Sequence, residues 1–233
     1  MIESPTSSTA RVPTAARSFR PRRRRLSATL DAALRVHGAT YLLDDVGPLL
    51  SLEALFPVHD AVILDIGFGA GEGLLGMLEA DPAQAVIGVE VHTPGVARVV
   101  AEAAAAGWGH VRVVHGDVVE FVDRLAPGSL SGVRVWYPDP WPKQRQRHRR
   151  LLDAAMLARV ADLLRPGGVL HVVTDIDDYG RDVAALASLD GRFDGGVIER
   201  PRWRPATRFE QRAEREGRSS TELWFVRRVD SDG

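Results

Sequence analysis

The chain has 233 residues, no cysteine and a formal net charge of −1, with 45% hydrophobic and 26% charged residues. This composition fits one globular domain with a substantial core, and it excludes a disulfide framework, a thiolate zinc site and a cysteine nucleophile. No run of eighteen apolar residues suggests a membrane span, and the arginine-rich beginning lacks the apolar core of a secretory signal, so we expect a cytoplasmic protein.

The near-zero net charge hides three arginine-rich runs. They lie at residues 17–25, 143–150 and 200–208, while the carboxylates are spread over the middle of the chain. Local basic surfaces on a neutral protein indicate a specific polyanionic partner. We expect residues 1–25 to form a disordered arginine-rich arm, residues 26–229 a single domain, and residues 230–233 a flexible tail.

Strand-length apolar runs alternate with helical segments along most of the chain. Strands are expected at 61–66, 85–91, 111–115, 132–137, 169–174 and 223–226, with a short apolar stretch at 197–199. Helices are expected at about 27–36, 72–79, 94–107, 117–125, 149–164 and 178–189, with Ser27 and Thr93 as N-caps. The segment up to Pro57 has no predicted place. This alternation predicts an α/β fold with a doubly wound, mostly parallel sheet and helices on both faces.

Acids and glycines collect at the carboxyl ends of the first three strands, where such sheets bind ligands. Glycines let the backbone approach a ligand closely, and an acid about 20 residues beyond a glycine loop is placed to accept ribose hydroxyls. The pattern therefore favours a cofactor that contains a nucleoside. The candidate residues are Asp65, Gly67, Gly69, Gly71, Glu90 and Asp117.

Two carboxylates at the glycine loop narrow the choice of nucleoside. Asp65 precedes the loop and Glu72 follows it, and both would repel the pyrophosphate of a dinucleotide. They suit S-adenosylmethionine instead, because its amino and sulfonium groups are cationic. Asp117 has a second possible role as a helix N-cap, and the two roles are compatible.

The stretch from Val133 to Arg150 joins three features in order. A strand rich in β-branched and aromatic residues ends in Pro138-Asp139-Pro140, which holds one carboxylate in a rigid turn, and a basic run follows at once. A scaffold, a fixed acid and a polyanion-binding run in this order favour an active site that faces a nucleic acid.

Several segments resemble the bacterial tRNA (guanine-N7-)-methyltransferases. They are residues 64–71, 88–96, 138–150, 174–175 and 207–212, and the resemblance extends from about Arg17 to Val226. It implies a Rossmann-like, seven-stranded methyltransferase sheet. It also implies transfer of the methyl group of S-adenosylmethionine to N7 of the guanine at position 46 in the variable loop of tRNA. We expect no metal ion, no membrane and no obligate protein partner, with the chain a monomer or a homodimer.

Carried over by motif, the resemblance implies roles for individual residues. Asp139 is the implied catalytic residue, and the implied cofactor-binding residues are Asp65, Gly67, Gly69, Gly71, Glu90, Asp117 and Asp139. The implied substrate-binding residues are Lys143, Asp175, Thr207, Arg208, Phe209 and Glu210. The implied RNA-binding residues are Arg145, Arg147, Arg149 and Arg150. Asp65 departs from the pattern, since a longer glutamate is common at its position.

The residue types agree with this chemistry. Guanine N7 carries an in-plane lone pair and no proton, so its attack on a sulfonium methyl needs no general base, and catalysis rests on alignment and fixed charge. We therefore interpret Asp139 as a residue that orients the guanine and stabilises the cationic product. Tyr137 or Trp141 could stack on the extruded base, although packing in the core is an equally good explanation of both rings.

Three other functions stay open at the level of the sequence. The closest alternative is an S-adenosylmethionine-dependent methyltransferase that acts on an exocyclic amino group of a nucleic acid. A nicotinamide-dependent oxidoreductase is opposed by Asp65 and Glu72. A non-catalytic RNA-binding protein that kept the sheet is the third alternative.

Overall fold

The computed structural model describes residues 26–229, so the predicted arm and the predicted tail lie outside the described residues. The strands are β1 (Leu42–Leu43), β2 (Ala61–Ile66), β3 (Gln84–Glu90), β4 (Val111–His115), β5 (Leu130–Trp136), β6 (Leu164–Thr174), β7 (Phe193–Ile198) and β8 (Thr221–Arg227). The helices are α1 (Ala28–Tyr41), α2 (Leu52–Leu55), α3 (Glu72–Ala80), α4 (Thr93–Ala106), α5 (Val118–Phe121), α6 (Ala154–Leu163), α7 (Asp177–Asp190) and α8 (Arg208–Arg215). Short 3-10 helices occur at Val122–Arg124 and Gln144–Arg149.

The strands form one sheet in the order β1-β4-β3-β2-β5-β6-β8-β7. Neighbours from β1 to β6 are parallel, whereas β8 lies antiparallel between β6 and β7. The predicted α/β class and mostly parallel sheet are confirmed. The described sheet has eight strands, one more than expected, because Leu42 and Leu43 pair with Val113 and Val114 of β4. The segment without a predicted place thus supplies an edge strand.

Two apolar cores lie on the two faces of the sheet. Along β2, Val62, Leu64 and Ile66 face a cluster that includes side chains of α5, α6 and α7. Ile63 faces the other cluster, which includes side chains of α3 and α4. Alternate residues of a strand point to opposite faces, so a continuous apolar run is what a strand covered on both sides requires. This arrangement directs the carboxyl ends of β2 to β6 toward one edge of the domain.

Several predicted boundaries differ from those observed. Helix α6 begins at Ala154 rather than near Arg149, because Asp153 caps it by accepting from the Met156 amide at 2.8 Å. The basic run before it forms the 3-10 helix instead. Strand β6 begins at Leu164 rather than Val169, with an irregular pairing across residues 165–168. His92 rather than Thr93 is the N-cap of α4, and α1 continues to Tyr41.

Between residues 26 and 229, no helix combines the length and the apolar character needed to cross a bilayer.

Candidate active site

The glycine loop after β2 has a backbone that glycine favours. Gly67, Gly69 and Gly71 have φ values of 73°, 58° and 84°, in the region where a Cβ atom is unfavourable. A Cβ on Gly67 or Gly69 would meet no heavy atom within 4 Å, so the loop has free space beside it. A Cβ on Gly95 would lie 1.8 Å from the Gly69 carbonyl oxygen. The loop therefore sits directly on the first turn of α4.

The carboxylate of Glu90 fixes the same loop from the end of β3. One oxygen accepts from the Gly69 amide at 2.6 Å, and the other accepts from the amides of Val91 and His92 at 2.7 and 2.8 Å. Glu90 is buried, yet it lines the cleft described below. The three amides stabilise its negative charge beside the loop.

Asp65 lies near the end of β2, directly before Ile66 and Gly67, which line the cleft. It is buried, and its Oδ2 atom has no hydrogen-bond partner among residues 26–229. The pKa of Asp65 is raised from 3.8 to about 6, because burial and the negative charge of Glu90, which both raise it, outweigh the positive charge of Arg134, which lowers it. Arg134 stands beside Asp65 in the parallel register of β2 and β5. A cationic ligand near Asp65 would favour its ionised form.

The Pro138-Asp139-Pro140 turn is framed by two residues with unusual backbone angles. Tyr137 and Trp141 have φ values of 53° and 40°, a left-handed conformation that costs on the order of 1–3 kcal/mol at a non-glycine residue. The Tyr137 amide donates to the Val173 carbonyl at 2.7 Å, which holds the start of the turn. The side chain of Asp139 is exposed and borders the cleft.

Arg150 holds the end of this turn from behind. Its Nε donates to the Pro140 carbonyl at 3.1 Å, and its Nη atoms donate to Asp182 at 2.6 Å and to Asp178 at 3.0 Å. The Arg150 side chain is only 4% exposed. This placement differs from that expected of an RNA-binding arginine, because the guanidinium is already enclosed by carboxylates of α7.

The other members of the basic run differ in whether their side chains contact other residues of the protein or are exposed. Arg147 also pairs with Asp178, and the Arg149 guanidinium lies 4.9 Å from the centre of the Trp141 ring. Burial acts to raise the pKa of Asp178, but the nearby guanidinium groups of Arg150 and Arg147 outweigh it and hold that pKa below its usual range. Lys143 and Arg145 are exposed. They are the members of the run best placed to contact a polyanion.

The Thr207–Glu210 segment forms the start of α8. It is held by a helix cap, by a hydrogen bond to Glu72 and by ion pairs of Glu210. Thr207 caps the helix by accepting from the Glu210 amide at 3.2 Å. The Arg208 amide donates to Glu72 at 3.0 Å, which links α8 to the first turn of α3 beside the glycine loop. Glu210 is buried and forms ion pairs with Arg204 and Arg200. Glu210 therefore faces the interior of the protein.

The Glu210 ion pairs continue into a buried network beneath α8. Arg204 Nε lies 2.8 Å from Glu222, and His171 Nε2 lies 2.6 Å from the same carboxylate. The Trp136 indole donates to His171 Nδ1 at 3.2 Å, so Nδ1 is unprotonated and Nε2 donates to Glu222. Burial lowers the pKa of His171, against the effect of Glu222, which is consistent with a neutral ring. His171 therefore has a structural position within the buried network.

Phe209 is an exposed aromatic residue that lines the cleft. Its ring is 48% exposed, and its centre lies 4.8 Å from that of Tyr137. The Tyr137 hydroxyl is hydrogen-bonded to Ser220 at 2.9 Å, and Trp141 is buried beneath Arg149. Tyr137 and Trp141 are thus engaged within the protein.

A cleft of about 1170 Å³ brings eight of the candidate residues together at the carboxyl ends of β2 to β5. The candidates that line it are Gly67, Gly69, Glu90, Asp117, Asp139, Lys143, Arg208 and Phe209. Asp117 also caps α5 by accepting from the Val119 amide, so its two expected roles are compatible. A smaller cavity of about 330 Å³ adjoins the cleft through Pro138, Pro140 and Phe209 and is lined by Asp175.

The remaining candidates surround the cleft without lining it. Asp65 and Gly71 adjoin the lining residues Ile66 and Ala70 in the chain, and Thr207 and Glu210 anchor α8. Arg145, Arg147, Arg149 and Arg150 lie beyond the Asp139 turn. Sequence reasoning missed Arg212, which lines both the cleft and the smaller cavity. Arg212 follows Arg208 by four residues, which places both on one face of a helix, and this spacing could have predicted that Arg212 lies at the cleft with Arg208.

Comparison with known proteins gives a consistent result. A family profile described as "Putative methyltransferase" matches residues 59–223. The chain is 38% identical over 217 residues to a tRNA (guanine-N(7)-)-methyltransferase of Streptomyces avermitilis, covering 91% of this chain and 75% of that protein. It is 37% identical over 216 residues to the protein of the same name from Thiobacillus denitrificans, covering 91% and 95%.

Solved structures share the fold at lower identity. The 16S rRNA methyltransferase KamB superposes with a TM-score of 0.58 at 17% identity, covering 78% of this chain and 96% of that chain. A 16S rRNA (adenine(1408)-N(1))-methyltransferase from Catenulisporales acidiphilia, solved with its cosubstrate, gives 0.54 at 14% identity, covering 77% and 91%. These likenesses establish the sheet architecture.

Proposed function

Because the chain belongs to the tRNA (guanine-N(7)-)-methyltransferase family, we propose that it transfers the methyl group of S-adenosylmethionine to N7 of the variable-loop guanine of tRNA. One observation of the structure carries the proposal. The cleft joins the glycine loop and the acids Glu90 and Asp117 to the Asp139 turn, and the exposed cations Lys143 and Arg208 border the same space. A small-molecule site and a polyanion site therefore meet at Asp139.

The residues of the cleft fit S-adenosylmethionine. Glu90 is placed to accept hydroxyls of a ribose, and the open space beside Gly67 and Gly69 admits a ligand against the backbone. Asp65 directly precedes Ile66 and Gly67 of the cleft lining, and its buried Oδ2 atom, which has no hydrogen-bond partner in the described part of the chain, favours a cationic group nearby. When bound, S-adenosylmethionine supplies an electrophilic methyl group on a sulfonium. A dinucleotide would instead bring a pyrophosphate toward Asp65 and Glu72, which stand before and after the glycine loop.

Asp139 acts in this proposal by position and charge. Guanine N7 needs no deprotonation, so the protein has to hold the base in line with the methyl group and stabilise the positive charge that forms. Asp139 accepts N–H groups from the edge of the guanine and keeps its negative charge near the ring. Alignment of this kind can supply up to about 7–11 kcal/mol. The backbone of Tyr137 and Trp141 and the hydrogen bond from Arg150 fix the turn for this task.

The residues that would contact the substrate are those whose side chains are exposed at or near the cleft. Phe209 offers a half-exposed ring on which a base can stack, and Asp175 lies in the adjoining cavity. Lys143 and Arg145 are the first candidates for phosphate contacts, while Arg150 serves the protein's own turn. A tRNA substrate is in accord with the cytoplasmic location expected from the sequence.

The proposal is tested by incubating the protein with methyl-labelled S-adenosylmethionine and unmodified tRNA, followed by borohydride and aniline treatment. We expect chain cleavage at the variable-loop guanine and none with Asp139→Ala. Label in tRNA without such cleavage would overturn the N7 assignment and favour methylation of an exocyclic amino group. Absence of any label would overturn the proposed activity.

A further inference from the structure

The outer face of α8 carries a stripe of three arginines. Arg208, Arg212 and Arg215 lie within roughly 60° of one another around a helix with 3.6 residues per turn. The side chains of Arg208 and Arg212 are 84% and 76% exposed, and Arg215 is exposed as well. The buried residues of the helix, Glu210 and Ala213, lie on the other side. Arg208, Arg212 and Arg215 together form the α8 basic face.

Buried charge, rather than apolar packing, holds α8 in place. Ala213 is its one buried apolar residue, and a helix of eight residues with so small an apolar surface is not stable alone. Its position depends on Glu210, which pairs with Arg204, and on Glu72, which accepts from the Arg208 amide. A helix anchored in this way presents its outer side chains in a fixed place.

The α8 basic face borders the cleft that contains Asp139. Arg208 and Arg212 line this cleft together with Lys143, so cations from two separate elements meet there. Arg208 pairs with Glu72 and Arg212 with Glu216, both at 2.9 Å, while Arg215 forms no ion pair within the described part of the chain. The Arg212–Glu216 pair is exposed on both sides, and a pair of this kind contributes little and exchanges readily for a phosphate. Within α8 itself, Glu214 is an exposed acid, and it lies beside the α8 basic face.

We infer that the α8 basic face binds the sugar-phosphate backbone of the tRNA next to the methylated guanine, as a second RNA-binding element beside Lys143 and Arg145. The inference rests on the proposed function. Any guanine that reaches Asp139 brings its flanking phosphates to the borders of the same cleft, and these borders are formed by the basic run and by α8. An acidic protein surface has no comparable reason to dock at the mouth of the cleft.

The test compares binding of unmodified tRNA by the full chain and its Arg212→Ala/Arg215→Ala variant across a series of KCl concentrations. Each lost phosphate contact makes the slope of log K against log salt shallower by about 0.7–0.9, so two contacts predict a change of about 1.4–1.8. A variant with Arg212→Lys and Arg215→Lys keeps the charge and should keep the slope. Arg165→Ala/Arg228→Ala is the matched control, since both arginines are exposed and lie toward the opposite edge of the sheet.

The outcomes separate this inference from the proposed function. A shallower slope for the alanine pair alone supports the inference. If the unaltered protein methylates tRNA at N7 while the alanine pair keeps its affinity and slope, the inference is wrong and the proposed function stands. If the control pair changes as much as the alanine pair, the effect is one of net charge and the inference is also wrong. If the unaltered protein does not bind tRNA, both are overturned.

Discussion

Arg204 and Glu210 form a buried bidentate ion pair that ties the loop before α8 to the first turn of the helix. Arg204 Nη1 donates to one carboxylate oxygen at 3.0 Å, and Nη2 contacts the other. Arg204 also contacts Glu222 of β8, so a single guanidinium connects the helix to the sheet. The placement of Phe209 and Arg212 at the cleft depends on this connection.

Removal of one partner of this pair should destabilise the domain strongly. Arg204→Met leaves Glu210 and Glu222 buried without their shared cation, and the expected loss is about 3–5 kcal/mol of unfolding free energy. Glu210→Leu should cost less than Arg204→Met, because Arg204 keeps Glu222. Urea unfolding of both variants and of the double variant measures the coupling. Single-variant losses below about 1 kcal/mol would contradict the role of the pair.

Asp65 predicts a pH-linked affinity for S-adenosylmethionine. Its pKa in the folded protein is about 6, above the ordinary 3.8, so the stability it contributes is present below about 3.8 and is lost as the pH rises through 6. A bound cation favours the ionised carboxyl, so binding between these pH values should release a proton, and affinity should rise with pH up to about 6. Calorimetry in buffers of different ionisation enthalpy measures the release. Asp65→Asn should abolish it; the same release from that variant would exclude Asp65 as its source.

Arg150 and Arg145 should behave in opposite ways, although they belong to the same basic run. Arg150→Ala removes the donor to Pro140 and the partner of Asp178 and Asp182, and it should lower the unfolding free energy by about 2–3 kcal/mol. Lys143→Ala/Arg145→Ala should leave thermal stability unchanged. It should instead make the salt dependence of tRNA binding shallower by about 1.4–1.8. The interpretation fails if Arg150→Ala changes the salt dependence and leaves stability intact.

Gly95 should be essential to the glycine loop. Gly95→Ala places a Cβ atom against the Gly69 carbonyl, so the loop has to move away from α4 and from Glu90. We expect a large loss of S-adenosylmethionine affinity, measured by calorimetry. Gly109→Ala is the control, because a Cβ there meets no atom within 4 Å. Equal affinities of the two variants would show that the contact with α4 does not position the loop.

Asp139 should affect turnover and not cofactor binding. Asp139→Ala leaves the glycine loop, Glu90 and Asp117 in place, so the affinity for S-adenosylmethionine should stay within a few-fold. The rate of methyl transfer should fall by about 10²–10³ or more, as for the loss of a fixed electrostatic group. Single-turnover kinetics with saturating tRNA measures this effect. A near-normal rate would refute the proposed role of Asp139.

Local patterns determined much of this protein. The apolar runs gave β2 and β4 at their observed bounds, because continuous β-branched stretches fit only strands covered on both faces. The glycine loop, Glu90 and Asp117 were predicted to lie together because the carboxyl ends of parallel strands meet at one edge of a sheet, and they line one cleft. Asp139 was found because two prolines restrict the backbone on either side of it.

Only the tertiary structure shows which charged residues are exposed at the surface or the cleft and which are buried in ion pairs within the protein. Arg145 and Arg150 stand in one basic run, yet one is exposed and the other is enclosed by Asp178 and Asp182 from a helix later in the chain. Glu210 and Arg212 belong to one motif, but Arg204 takes the first into the interior and leaves the second at the cleft. Sequence spacing specifies the face of a helix, whereas burial depends on the distant residues that pack against that face.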